Sequence, residues 1–192
     1  LTNGLKFVDG QYTYTYYTAT SSFSVTLTDK TSTDPVTTEL CGTINGKKIT
    51  NMSSMFQGSK AISIDLSSFD TSNVLSMSSM FENTKATELN LSSFDTSKVT
   101  SMDSMFLGSQ ATTINLSSFD TSKVTSMDTM FYNAKVVSLD LSSFNTSNVT
   151  DMYYMFKDSS VTIGYARTEE DADKLNASSG KPSALSFVVK TT

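Results

Sequence analysis

Asp65, Asn90, Asn115 and Asp140, each followed two positions later by serine (Ser67, Ser92, Ser117, Ser142), offer the chain's clearest oxygen-donor chemistry. Paired carboxylates can share general acid and general base work when their environments push their pKa values apart. Such donors can also hold Ca²⁺, which takes about six to eight oxygens. The spacing favours neither use. The four residues recur every 25 positions in near-identical local sequence, so none has surroundings its neighbours lack, and no Asp-rich glycine loop is present. Other reactive groups are scarce. The chain has no histidine, which removes the commonest general base and metal ligand. Its one cysteine, Cys41, allows neither an internal disulfide nor a cysteine metal cluster. The expectation is a protein that is not an enzyme and uses no cofactor or metal.

The elements that position these residues form a repeat. Ile49, Val74, Val99, Val124 and Val149 are each 25 residues apart. Behind each comes a methionine pair, from Met52 and Met55 to Met152 and Met155, and then a phenylalanine, from Phe56 to Phe156. All 10 methionines are accounted for in this way. The other half of the unit repeats as "IDLSSFDTS" (64–72), "LNLSSFDTS" (89–97), "INLSSFDTS" (114–122) and "LDLSSFNTS" (139–147). A strict period without insertions predicts identical coils stacked in register, a solenoid. In Val99-x-x-Met102-x-x-Met105-Phe106 the apolar spacing predicts one face of a short helix, and Ile114-x-Leu116 predicts a strand. Together they give an α/β repeat, a right-handed leucine-rich-repeat-like solenoid of about five coils over 46–160. Asp70, Asp95, Asp120 and Asn145, each before Thr-Ser, are expected to cap the strand-to-helix turn. The methionines are expected to be a packing column, since an unbranched thioether fills irregular gaps beside aromatic rings.

Solenoid ends need caps. Residues 1–45 predict a β-rich N-terminal cap, with a hairpin at Asp9-Gly10, a third strand in "SFSVTLT" and a one-turn helix start at Asp34-Pro35. Residues 161–192 predict a strand-helix-strand cap, its helix opening at Thr168 with Asp171 three residues on. The hydrophobic share of 38% is low for a globular chain, while 10% aromatic content argues against disorder. With net charge -5 and Arg167 as the only arginine, no basic stripe for nucleic acid is present. No apolar run is long enough to span a membrane. The chain starts at Leu1, not Met, so a processed or trimmed fragment is expected and missing targeting signals carry little weight.

The string "LSSFDTSKVTSMDSMF" resembles the repeat of BspA-like surface proteins, in the subgroup catalogued in Mycoplasma lipoproteins and common in Firmicutes. The similarity covers roughly 49–160, and "YARTEEDADKLNAS" resembles a tail found after such repeats. Where family copies often carry Gly-Cys-Ser, this chain reads Gly58-Ser59, Asn83-Thr84, Gly108-Ser109 and Asn133-Ala134. The resemblance implies an extracellular, cell-surface-attached bacterial protein acting in adhesion or host interaction. Its partner would be a host or neighbouring-cell protein or glycan, and no binding residue carries over.

Within that reading the possible binding face is Ser63, Asp65, Glu88, Asn90, Thr113, Asn115, Ser138 and Asp140, a polar set without aromatics. A solvated ladder bonding along the stack is the favoured alternative. Tyr153 and Tyr154 stand where other coils have Ser-Ser, Asp-Ser or Asp-Thr, and form either a contact patch or a surface under the C-terminal cap. The same choice applies to Tyr12, Tyr14, Tyr16 and Tyr17. A structural role as subunit or spacer of an extracellular filament or pilus-like appendage, self-associating through the caps, is the alternative function. Ice binding through Thr71, Thr96, Thr121 and Thr146 is a third reading.

Overall fold

A computed structural model describes residues 1–190 of the 192, so the expected 161–192 cap ends two residues beyond them. The repeat solenoid is what the chain forms, mostly strand and turn with, among the described residues, one short helix, α1 (Glu169–Asn176). The first sheet contains β1 (Lys6–Asp9), β2 (Tyr12–Tyr17), β3 (Ser22–Leu27), β4 (Thr43–Ile44) and β5 (Lys47–Asn51), in the order β1-β2-β3-β5-β4. β1 and β2 join through a two-residue turn whose Gly10 sits at φ 54°, the left-handed region a tight hairpin needs. Tyr12, Tyr14 and Tyr16 face inward from β2 and meet Phe23, Val25 and Leu27 of β3 in the core. β3 then pairs in parallel with β5, through Phe23 and Ile49. Ile49 is also the first residue of the repeat, so the cap's sheet runs into the first coil.

The coils stack along two lines. On one, parallel bridges join Asn51, Ser76, Ser101, Ser126 and Asp151 without interruption. On the other lie β6 (Glu88–Asn90), β7 (Thr113–Asn115), β8 (Ser138–Leu141), β9 (Ile163–Ala166) and β10 (Phe187–Val189). β6 pairs with β7 in parallel, and β8, β9 and β10 form a parallel three-stranded sheet. The first rung of this second line is the Asp34-Pro35 segment. Val36 bridges to Ile64 and Leu40 to Phe69 there, and no helix starts. Partners on the next coil (for Val36 and Leu40) and on Gln11 (for Thr37 and Thr38) claim the backbone groups a helix would have used.

The Met-x-x-Met-Phe segments differ from the expected helix for the same reason. Each is a run of turns, with Ser54, Ser79, Ser104, Thr129 and Tyr154 at φ between 52° and 57°. Ser54, Phe56 and Gly58 donate N–H to Ser78, Met80 and Glu82 of the next coil at 2.9, 2.8 and 2.7 Å. An α-helix would spend those donors four residues back within its own segment. A left-handed residue between the two methionines reverses the chain, so both point inward at a spacing that imitates a helix face. Nine of the methionines are buried and Met152 is partly so.

Two phenylalanine columns run through the core. Phe56, Phe81, Phe106, Phe131 and Phe156 stack at 5.2–5.8 Å between ring centroids, with interplanar angles of 4–13°. Phe69, Phe94, Phe119 and Phe144 stack at 5.9–6.5 Å. Fully burying each ring contributes about 1.5–3 kcal/mol, and near-parallel offset pairs are a preferred aromatic geometry. The columns fix the register of the surface.

Candidate interaction surfaces

The strand line places Ser63, Asp65, Glu88, Asn90, Thr113, Asn115, Ser138 and Asp140 all on the exposed side. Glu88 lies beside Thr113 and Asn90 beside Asn115, while Ser138 and Asp140 lie beside Ile163 and Tyr165. The side-chain oxygens of Asp65, Asn90, Asn115 and Asp140 accept the N–H of Ser67, Ser92, Ser117 and Ser142 at 3.0–3.2 Å. These are Asx turns, in which a short side chain caps the peptide two residues on. The Ser67 hydroxyl and N–H hold the Asp65 carboxyl below its usual range. Burial pushes the Asp140 carboxyl up, but bonds from Lys190 and Ser142 outweigh it and leave it lowered. The donors of this face are engaged in building turns.

Asp70, Asp95, Asp120 and Asn145 make the same turn with Ser72, Ser97, Ser122 and Ser147, at 2.9–3.0 Å. They cap a turn and not a helix. The threonine after each is buried. Thr71, Thr96 and Thr121 accept the N–H of Asp95, Asp120 and Asn145 at 2.8 Å. Their hydroxyls donate to the same residues' carbonyls at 2.9–3.0 Å. An ice-facing array needs exposed hydroxyls, so this column cannot supply one. Thr146 ends the ladder on Asp171, whose Oδ1 accepts its N–H at 2.8 Å and its hydroxyl at 2.7 Å. Burial alone would raise the Asp171 carboxyl, but Thr146, Thr168 and Arg167 donate to it and hold it at about 2.

One acidic run was not read from the repeat. Asp103 and Asp128 occupy equivalent positions in neighbouring coils, near Asp151 on the bridge line. Asp103 accepts from the Ser101 and Ser126 hydroxyls and from the Asp128 N–H. Burial, then the charges of Asp151 and Asp103, pushes the Asp128 carboxyl up. The signal was visible only as aspartates replacing serines in one column. Among the described residues no group of three or more Asp, Glu, Cys or His is placed to hold a metal ion.

The paired tyrosines divide. Tyr154 is the left-handed residue of its coil and lies under the Lys157 ammonium, 4.3 Å from its ring centroid. The C-terminal segment at Gly180 packs against it. Tyr153 is 54% exposed, its ring centroid 3.8 Å from that of Tyr154. It borders a shallow groove of about 310 Å³ with Asp151, Met152, Lys174 and Ser178. Tyr12, Tyr14 and Tyr16 are core residues, whereas Tyr17 is exposed. Leu75, exposed near Tyr17, breaks the column of threonines at 50, 100, 125 and 150, its only sequence signal.

A family model described as "Mycoplasma protein of unknown function, DUF285" matches residues 28–135 and 85–166. No curated protein and no solved structure matches the chain.

Proposed function

The chain belongs to the DUF285 family, and we propose that it is a non-enzymatic interaction module displayed on a bacterial cell surface. Its partner is a protein on a host or neighbouring cell. The resemblance of the repeat to BspA-like surface proteins supports the setting. No helix among the described residues is long and apolar enough to cross a membrane. The observation that carries the reading is Tyr153. Equivalent positions hold Ser53, Ser78, Asp103 and Asp128, yet here an aromatic ring stands 54% exposed, braced by Tyr154. Tyrosine is enriched among residues that dominate protein interfaces. It offers a large rigid contact area at low entropic cost.

Asp65 and Asp140 on the strand face each accept a backbone N–H, which supports a structural use for these two carboxylates. The test is adhesion of chain-coated beads to cultured host cells, with the Tyr153→Ser variant beside it. Serine is the residue two other coils use there, at Ser53 and Ser78, so the fold is expected to persist. At least a tenfold loss of adhesion is expected, with unchanged thermal unfolding. Equal adhesion by the variant would overturn the assignment of Tyr153. Adhesion abolished by enzymatic removal of cell-surface glycans, but not by protease, would overturn the protein partner.

A further inference from the structure

We propose that the side-chain amides of Gln11 and Asn176 close the two ends of the parallel ladder, and that without them one copy's last rung would pair with a second copy's first. In a parallel rung, alternate residues turn both N–H and C=O to the same side. Val36 donates its N–H to Ser63 at 3.0 Å and accepts from Asp65 at 2.9 Å, so it faces the stack. Pro35 and Thr37, on either side of it, therefore face away. Pro35 has no N–H to offer. Gln11 Nε2 donates to the Pro35 carbonyl at 3.1 Å, and Gln11 Oε1 accepts the N–H of Thr37 at 2.8 Å and of Thr38 at 3.0 Å. The Tyr12 hydroxyl donates to the Thr38 carbonyl at 2.7 Å.

The last rung is treated alike. β10 pairs with β9 on its inner side. Asn176 Oδ1 accepts the Phe187 N–H at 2.9 Å, and Asn176 Nδ2 donates to the Phe187 carbonyl at 2.9 Å. One amide makes the pair of bonds that two alternate residues of an added parallel strand would make. It is held there as the last residue of α1, next to the buried Leu175. An open strand edge is a template for another chain. These two edges are opposite faces of one parallel column, so they are complementary to each other and neither to itself. Such a head-to-tail contact propagates unless something stops it. The inference stands apart from the Tyr153 assignment and opposes end-to-end filament growth by the intact chain.

The test is analytical ultracentrifugation of Gln11→Ala, Asn176→Ala, their equimolar mixture and the double variant, with circular dichroism confirming folding. The wild-type chain and each single variant are expected to sediment as monomers at every concentration. The mixture should give one-to-one dimers, because each partner opens one complementary end, and the double variant should elongate with concentration. A monomeric mixture of folded variants would overturn the proposal, as would self-association of the wild type or of a single variant. If an alanine variant does not fold, Gln11→Met and Asn176→Leu carry the same mixing test. They keep most of the side-chain volume but neither accept the N–H groups of Thr37, Thr38 and Phe187 nor donate to Pro35 and Phe187. Dimers in that mixture support the proposal and monomers overturn it.

Discussion

Thr121 does two jobs with one hydroxyl, accepting the Asn145 N–H and donating to the Asn145 carbonyl. Valine has the same shape and neither capacity. Thr121→Val should therefore leave a partly buried N–H and carbonyl of Asn145 unpaired and lower unfolding stability by about 1–3 kcal/mol, read from urea denaturation. Asp171 gives the end of this ladder a pH signature. Its folded pKa of about 2 lies below the ordinary carboxylate value, so its contribution is fully present above pH ~4 and is lost as pH falls toward 2. With the side chain 3% exposed, the contribution amounts to about 2 kcal/mol. Urea midpoints of wild type and Asp171→Asn should differ most near neutrality and converge on acidification. A gap that stays constant down to pH 2.5 would show that the carboxylate's charge is not what matters. At this scale the sequence was only partly legible. The buried methionines followed from their periodicity, because apolar residues declare their side by spacing. Gln11 and Asn176 did not, since each lies outside the repeat and a polar residue's partner across the fold leaves no periodic trace.

At the scale of the coil, one half could be read and the other misled. Ile114-x-Leu116 lies at a strand because alternation has few other physical origins. Val99-x-x-Met102-x-x-Met105-Phe106 has helical spacing, yet its N–H groups serve the next coil through turns hinged on Ser104 at φ 55°. Spacing reports which side chains are buried and not where the backbone bonds go, so tertiary pairing overrode the local reading. The stacked rings predict a steep mutational gradient. Phe106 sits between Phe81 and Phe131 at 5.7 and 5.2 Å. Phe106→Ala should cost about 3–5 kcal/mol, whereas Met105→Leu, which keeps volume, should cost less than about 1.5 kcal/mol. Guanidinium denaturation would measure both. Equal losses would mean that the column is not close-packed.

At the scale of the whole molecule, each coil bonds to its neighbours and not beyond, so stability should accumulate roughly one interface at a time. Deleting residues 101–125 joins Thr100 to Ser126 and reproduces the Thr125-Ser126 junction in register. The shortened chain should fold cooperatively, with an m-value lower by roughly an eighth, because m scales with the surface exposed on unfolding. It also keeps both caps, Tyr153, Tyr154 and the groove beside them, while shortening the polar face by one unit. That makes it the most direct probe of the central claim, that the repeats space and support while an irregular residue makes the contact. The measurement is a binding isotherm of the deletion variant on the host cells that bind the intact chain. Affinity within about threefold of wild type, or ~0.7 kcal/mol, is the predicted result. A large loss in a variant that is demonstrably folded would place the contact on the repeated face and contradict the account.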